Sequence, residues 1–221
     1  MTMPSKAEAS DPSGARAATS HERASGQSWD AAYRDAGPAP WDIGRPQAPF
    51  VQIASGRGFA GPVLDAGCGT GEHALLAASM GLGVLGVDLA ETAVSRARAK
   101  AAERGIDAEF AVADAFELQR LGRTFQTVLD CGLFHTCDSD ERPRYVASLA
   151  SVTEPGATLY VLCFSDEAPD GAPHPVSRTE LRTAFDDHEG WKIISVEADR
   201  IDTTFTGDDG IPAWFATIRR T

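Results

Sequence analysis

The sequence is poor in positive charge: it has 20 lysine and arginine residues against 32 aspartate and glutamate residues, a net charge of −12. Proteins that bind nucleic acid or anionic membrane surfaces need basic side chains near the phosphates. Long apolar runs are missing too, so no segment reaches the ~20 apolar residues that span a bilayer and none resembles a signal peptide. We therefore expect a soluble, cytoplasmic protein that binds neither nucleic acid nor membranes.

Closely spaced cysteine pairs are absent as well. The four cysteines, none of them in a CxxC pair, are Cys68, Cys131, Cys137 and Cys163. Because zinc sites are built from close Cys/His pairs, we expect reduced thiols and no metal. The acidic pair Asp208-Asp209 is interpreted as a solvated turn.

Large apolar residues are scarce at the start of the chain. Residues 1–28 are rich in Ala, Ser, Gly and Pro, and such a stretch buries too little surface to offset its ordering entropy. We predict a disordered tail over 1–28 and a single domain over 29–221, which begins with short helices over 29–35 and 46–58.

Short apolar runs then alternate with helical patterns. The predicted strands cover 62–65, 83–88, 108–113, 125–131, 158–164, 191–198 and 213–219, and the predicted helices cover 72–80, 92–104, 139–152 and 178–185. This alternation predicts an α/β, Rossmann-like, doubly wound sheet of seven strands with helices on both faces. The sheet is mostly parallel, with an antiparallel pair at one edge. Ligands bind such sheets beyond the carboxyl ends of the strands.

A glycine-rich turn follows the first strand directly, as Gly67-x-Gly69-x-Gly71, and a helix follows the turn. Glycines let a backbone adopt positive φ and approach a ligand closely. Asp88 ends the second strand, where its carboxylate can accept both ribose hydroxyls. Asp114 ends the third strand, at a position that suits the exocyclic amine of adenine. Leu89 or Phe116 would then lie against the base.

These features, in this order, resemble the class I S-adenosylmethionine-dependent methyltransferases. The resemblance implies that Gly67, Gly69 and Gly71 line the cofactor, that Asp88 binds its ribose and that Asp114 binds its adenine. It further implies that Asp65 bonds the cofactor's amino group, directly or through water. Ala115 and Cys131 complete the expected cofactor contacts.

A nicotinamide-dependent dehydrogenase is the competing interpretation, since it also places an acid on ribose after a glycine-rich turn. Its GxGxxG pattern, however, would require glycine at position 72, which is Glu72. A glutamate at that helix N-terminus would oppose a pyrophosphate, whereas a sulfonium cofactor carries no phosphate.

The segment before the first strand contains Trp29, Tyr33 and the run Pro40-Trp41-Asp42 with Gly44. It resembles the opening of thiopurine and halide methyltransferases and of bacterial enzymes that methylate quinone-like and heteroaromatic compounds. The resemblance covers roughly residues 28–221. It implies that residues 29–60 cap the cofactor site, with Trp41 and Trp29 near the sulfonium, where cation–π attraction can act, and Tyr33 near the acceptor. Alternatively, the two tryptophans only anchor a docked helix.

The acceptor site is less well marked. His135 follows the fourth strand and is the best candidate for a catalytic base, because imidazole is matched to neutral pH. Phe134 beside it could supply a pocket wall. His174 lies in a Pro/Gly-rich loop, 165–176, that could cover the acceptor. The alternatives are a hydrogen-bonded turn histidine at 135 and a solvated loop histidine at 174.

The sequence thus predicts an enzyme that transfers a methyl group from S-adenosylmethionine to O, N or S of a small, aromatic or heteroaromatic acceptor. It lacks the Asn/Asp-Pro-Pro-aromatic motif of DNA amine methylation. A methyltransferase for another metabolite or for a protein side chain stays open, as does a non-catalytic S-adenosylmethionine-binding protein. The oligomeric state, monomer or homodimer, is left open.

Overall fold

A computed structural model describes residues 16–34, 37–169, 174–185, 190–206 and 209–221. Its centre is a seven-stranded sheet in the order β3-β2-β1-β4-β5-β7-β6. The strands are β1 (Val63–Ala66), β2 (Val84–Asp88), β3 (Glu109–Val112), β4 (Phe125–Cys131), β5 (Thr153–Phe164), β6 (Trp191–Ile201) and β7 (Ile211–Arg220). Strands β1 to β5 pair in parallel, while β7 is antiparallel to both β5 and β6. The predicted fold class and edge pair are confirmed.

In the described part of the chain, seven α-helices surround the sheet: α1 (Ser20–Ser25), α2 (Ala31–Arg34), α3 (Ala48–Ser55), α4 (Glu72–Ser79), α5 (Glu91–Arg104), α6 (Glu141–Ser151) and α7 (Arg178–Phe185). Two 3₁₀ segments, Ala115–Leu121 and Phe134–Thr136, follow β3 and β4. Among the described residues, none of the helices is long and apolar enough to cross a membrane.

The core has two layers, one on each face of the sheet. Leu64 and Leu85 belong to a buried cluster with residues of α6 and α7, whereas their neighbours Val63 and Val84 belong to a cluster with residues of α3, α4 and α5. Successive strand residues point to opposite faces, and all four residues of β1 are buried. Strands buried on both faces read as continuous apolar runs, which is why the sequence located them.

Several elements differ from the expectation. Residues 16–28 are not disordered in the structure: they contain α1, which packs against the start of α6, and residues 1–15 lie outside the described part. Strand β5 begins at Thr153 rather than 158, because Pro155 and Gly156 interrupt its apolar pattern. The two 3₁₀ segments were not predicted. Asp208 of the predicted acidic turn also lies outside the described residues, and Asp209 is exposed.

Candidate active site

A cavity of about 470 Å³ opens at the carboxyl ends of β1 to β5. This volume is within the range of about 300–1,000 Å³ that is usual for small-molecule sites. Residues that follow each of these strands line it, and residues between 19 and 47 cover it from the other side. The cavity therefore lies where the topology predicts a ligand site, at the reversal of strand order between β1 and β4.

The glycine-rich turn forms the floor of the cavity. Its glycines have positive φ: +70° at Gly67, +51° at Gly69 and +89° at Gly71. A Cβ at Gly71 would lie 2.8 Å from the ring of Phe110, and one at Gly69 would lie 3.0 Å from the hydroxyl of Tyr33. Other residues would strain this turn and narrow the cavity, so the turn forms a cradle that only glycine permits.

Asp88 lies at the end of β2 and lines the cavity. Its Oδ2 accepts the N–H of Gly69 at 2.8 Å, and its Oδ1 accepts the N–H of Ala90 at 2.9 Å. Burial raises the pKa of this carboxyl, and the two backbone donors oppose that rise. Each carboxylate oxygen has a second lone pair for a ligand, so the group can accept a pair of hydroxyls.

Asp114 lies across the cavity from the turn, after β3, and caps the first 3₁₀ segment. Its Oδ1 accepts the N–H of Phe116 at 2.9 Å. No described residue donates a hydrogen bond to Oδ2. Leu89, Ala115 and Phe116 line the cavity beside it. A carboxylate oxygen next to apolar walls suits a flat base with an exocyclic amine.

Asp65 occupies a different place from the one expected. It is 1% exposed, does not line the cavity, and accepts the N–H of Ala74 at 2.9 Å through Oδ2. Ala74 is the third residue of α4, so this carboxylate ties the end of β1 to the first turn of the helix, as an N-cap does. The expected bond from Asp65 to the cofactor's amino group, directly or through water, stays a prediction.

Two buried carboxyl groups near the glycine turn have raised pKa values. Burial raises the pKa of Asp65 to about 7, and repulsion by Asp88 and Asp130 adds to the rise. Burial also raises the pKa of Asp130 to about 6, although the hydrogen bond that Tyr145 donates to it lowers this pKa. In a low-dielectric site a nearby positive charge would relieve this repulsion. A sulfonium or ammonium group fits such a field, and a pyrophosphate does not.

The aromatic residues of the N-terminal segment form one side of the cavity. The Trp41 Nε1–H donates to the Tyr33 hydroxyl at 2.8 Å, and the ring of Trp29 packs edge-on against Trp41 with centroids 6.0 Å apart. All three line the cavity, as expected. Tyr33 is 4% exposed, while Trp41 is 40% exposed, so the tyrosine is the anchor and Trp41 reaches over the opening. Helix α3 packs on α4 instead, and only its N-cap Gln47 lines the cavity.

An ionic cluster that the sequence did not reveal fastens this segment to the glycine turn. The Thr70 hydroxyl donates to Asp42 at 2.9 Å. The Lys100 ammonium donates to Thr70 at 2.6 Å and to Glu72 at 2.8 Å. Arg104 also pairs with Glu72, at 2.8 Å. Glu72, at the position where a dehydrogenase has glycine, thus anchors two cations of α5.

His135 lines the cavity but is not arranged as a base. Its Nδ1 accepts the backbone N–H of Phe164 at 3.1 Å, and its ring stacks on the Phe164 ring with centroids 4.0 Å apart. The neutral ring therefore carries its proton on Nε2 and can only donate from there. Burial lowers the pKa of His135 to about 3, and Arg142 adds to that effect. The expectation of a general base at 135 is wrong for this geometry.

Two expected acceptor contacts lie outside the cavity. Phe134 is fully buried, because Asp130 accepts the N–H groups of Leu133 and Phe134 and turns the phenyl ring inward onto Phe185. His174 is exposed at φ +35° and does not line the cavity. Its backbone carbonyl accepts a hydrogen bond from Arg142 instead. Cys131, expected near the cofactor, does line the cavity.

The end of the cavity beyond β4 and β5 is mostly apolar. Its walls are Leu133, Phe164, Pro169, Ile201, Phe205 and Ile211. Polar side chains of the cavity lining include Arg45, Gln47, Thr136, Glu141 and Thr203, together with His21 of α1 and His135. No group of three or more His, Cys, Asp or Glu residues in the described part of the chain could hold a metal ion.

Comparison with known proteins points to one family. A family model described as a methyltransferase domain matches residues 63–156. The chain is 36% identical, over 81% of both chains, to a 2-heptyl-1-hydroxyquinolin-4(1H)-one methyltransferase of Mycobacteroides abscessus. It is 30% identical to a probable thiol methyltransferase 2 of Arabidopsis thaliana, over 69% of this chain and 68% of the relative.

A solved structure agrees with these sequence relatives. A protein described as converting a disulfide bond into a thioacetal group during echinomycin biosynthesis superposes with a TM-score of 0.78. The two chains are 35% identical, and the match covers 86% of this chain and 89% of the other.

Proposed function

Because the chain belongs to the class I S-adenosylmethionine-dependent methyltransferases, and therefore methylates a small acceptor, we propose that its acceptor is a hydroxylated heteroaromatic compound with an apolar substituent. The cofactor is S-adenosylmethionine, which supplies a methyl group already activated on a sulfonium. The task left to the protein is to position the two reactants and to exclude water.

The geometry of the cavity supports the cofactor-binding roles in this proposal. Asp88 accepts the ribose hydroxyls through the lone pairs that Gly69 and Ala90 leave unused. Asp114 Oδ2 accepts the adenine amine. Gly67, Gly69 and Gly71 leave space for the methionyl part, and Trp41 covers the sulfonium.

The apolar wall at the acceptor end is the observation that carries the acceptor class. Phe164, Ile201, Phe205 and Ile211 line the cavity and offer apolar surface to an acceptor. An aromatic acceptor with an alkyl chain would bind there more tightly by about 0.8 kcal/mol for each CH₂ group that is buried. Further support is the M. abscessus relative, whose printed substrate has a quinolone ring, an N-hydroxyl and a heptyl chain.

A sulfur acceptor is the second candidate. It is favoured by the thiol methyltransferase relative and by the structural neighbour that acts on a disulfide. Thiols need less help from a base, since their pKa of about 8.5 lies closer to neutral pH than that of a phenol, about 10.

The test is turnover of a matched acceptor panel with S-adenosylmethionine, followed as methylated product by mass spectrometry. The panel contains hydroxyquinolines and hydroxyquinolones with methyl or heptyl chains, and thiophenols with the same chains. We expect methylation at the heterocycle hydroxyl, with kcat/KM rising about fourfold for each added CH₂ group that is buried. Faster turnover of the thiophenols, or no effect of chain length on the heterocycles, would contradict the proposed acceptor.

A further inference from the structure

Helix α1 is docked on the first turn of α6 by hydrogen bonds from Ser20 and an ion pair from Arg23. The Ser20 N–H donates to Glu141 Oε1 at 2.6 Å, and the Ser20 hydroxyl lies 2.5 Å from Glu141 Oε2. Arg23 pairs with Asp138 at 3.0 Å. The helix is closed at its start by a capping box between Thr19 and Glu22. These contacts fix α1 against the first turn of α6.

Docking of α1 places the His21 imidazole in the wall of the cavity. Its ring stacks on Trp29 with centroids 4.2 Å apart and an interplanar angle of 18°. Trp29 is itself held by its Nε1–H, which donates to the Thr19 hydroxyl at 3.1 Å. The stack orients the His21 ring, and neither ring nitrogen has a hydrogen-bond partner among the described residues.

In the other two histidines that line the cavity, one ring nitrogen already accepts a backbone N–H, so the neutral ring has no free basic nitrogen. His135 Nδ1 is occupied by the Phe164 N–H, and His73 Nε2 accepts the N–H of Gln47 at 3.1 Å. His174 does not line the cavity. His21 is thus the described histidine that lines the cavity and has no hydrogen bond from the protein to either ring nitrogen.

We propose that α1 is the lid of the acceptor site and that His21 is the catalytic base, an inference that rests on the proposed hydroxylated acceptor. As the acceptor oxygen forms its bond to the methyl carbon, the carbon–sulfur bond breaks and its electron pair stays on sulfur. The proton of the acceptor hydroxyl moves to the free imidazole nitrogen of His21. The imidazolium then releases that proton to water, since the side chain is only half-buried.

The surroundings of His21 favour its neutral form. Burial lowers its pKa most, His174 lowers it further, and the Glu22 carboxylate opposes both. Glu22 is neutralised by Arg16 at 2.5 Å, and His135 across the cavity is uncharged. A base acts in its unprotonated form, so kcat/KM should be flat near neutral pH and should fall as pH decreases through the His21 pKa, below its ordinary 6.5.

The experiment compares His21→Gln, His135→Asn and the control His174→Asn with the wild type, using a hydroxyquinoline that the wild type methylates. Asparagine tolerates the positive φ of residue 174. For His21→Gln we expect kcat to fall about 100- to 10,000-fold, with KM changed less than about threefold. The acid limb of the pH profile, in which kcat/KM falls as pH decreases, should be absent from this variant. His135→Asn and His174→Asn should keep that limb.

A second variant distinguishes loss of the base from displacement of α1. His21→Ala should regain at least about tenfold of its lost kcat in the presence of imidazole, because free imidazole can replace the missing base. Unchanged S-adenosylhomocysteine affinity by calorimetry would verify an intact cofactor site. Wild-type turnover in His21→Gln, or loss that imidazole does not rescue, would overturn the role of His21. Absence of methylated hydroxyquinolines with the wild type would instead contradict the proposed acceptor.

Discussion

Asp88 has two functions in the cavity. Its carboxylate holds the glycine turn through the Gly69 N–H and the start of α5 through the Ala90 N–H, at 2.8 and 2.9 Å. In the proposed function, the same two oxygens also accept the ribose hydroxyls. A side chain that shapes the turn and also binds the ligand cannot be replaced by a neutral residue without loss of both interactions.

Asp88→Ala should weaken S-adenosylhomocysteine binding by at least about 100-fold. Two hydrogen bonds to a charged acceptor are worth about 1.5–3 kcal/mol each, and alanine offers no substitute. Calorimetry measures the dissociation constant, with circular dichroism to verify the fold. Glu91→Ala is the matched control: Glu91 is a nearby exposed acid outside the cavity, and its loss should leave affinity within about twofold. An unchanged dissociation constant in Asp88→Ala would remove Asp88 from the site.

Individual residues show which parts of the site could be predicted from the sequence and which could not. The glycines and the acids at strand ends were located, because their positions follow from the order of strands alone. The roles of Phe134 and His135 were wrong, because they depend on contacts remote along the chain. The donor that occupies His135 is the amide of Phe164, 29 residues away on another strand. The burial of Phe134 depends on a 3₁₀ segment held by Asp130.

At the scale of elements, α1 was the largest surprise. The Ala/Ser/Gly composition of residues 1–28 predicted disorder, yet the run Thr19-Ser-His-Glu22 is a capping-box pattern that predicts a helix start. That signal was available in the sequence. Its partner was not, because Glu141 lies 121 positions after Ser20. A six-residue helix is unstable alone, so only this docking makes it persist.

Glu141→Ala should release α1 and expose the peptide bond after Arg23 to trypsin. Loss of the two Ser20 contacts removes charge-assisted hydrogen bonds of about 1.5–3 kcal/mol each, part of which water restores, so cleavage should accelerate about 10- to 100-fold. Timed digestion with mass spectrometry measures this bond. Glu103→Ala, at an exposed position on α5, should digest like the wild type. Equal protection of Arg23 in Glu141→Ala would mean that Glu141 does not hold the lid.

The sheet elements were predicted more closely, for a physical reason. Strands β1 and β2 are almost wholly buried, and β4 is buried apart from Gln126 and, in part, Cys131. The edge strand β6 instead carries polar residues toward its end, such as Asp199 and Arg200. Polar side chains are common on edge strands. Because the apolar pattern stops at these residues, the predicted strand ended before the last residues of β6.

For the whole molecule, topology and charge act together. The strand order places the carboxyl ends of β1, β2, β3 and β4 around one cavity, and the buried carboxyls Asp65, Asp88 and Asp130 make it favourable for a cation. The net charge of −12 extends that preference beyond the site. A sulfonium nucleoside suits this cavity, and a dinucleotide with its pyrophosphate does not.

A thermal shift with S-adenosylmethionine, S-adenosylhomocysteine and NAD in parallel tests this account most directly. A ligand at ~100 times its dissociation constant stabilises the fold by about 2.7 kcal/mol, which for a chain of this size raises Tm by roughly 5–10 °C. The account predicts that rise with both sulfur nucleosides and no change with NAD. A rise with NAD alone, or no rise with either sulfur nucleoside, would contradict it.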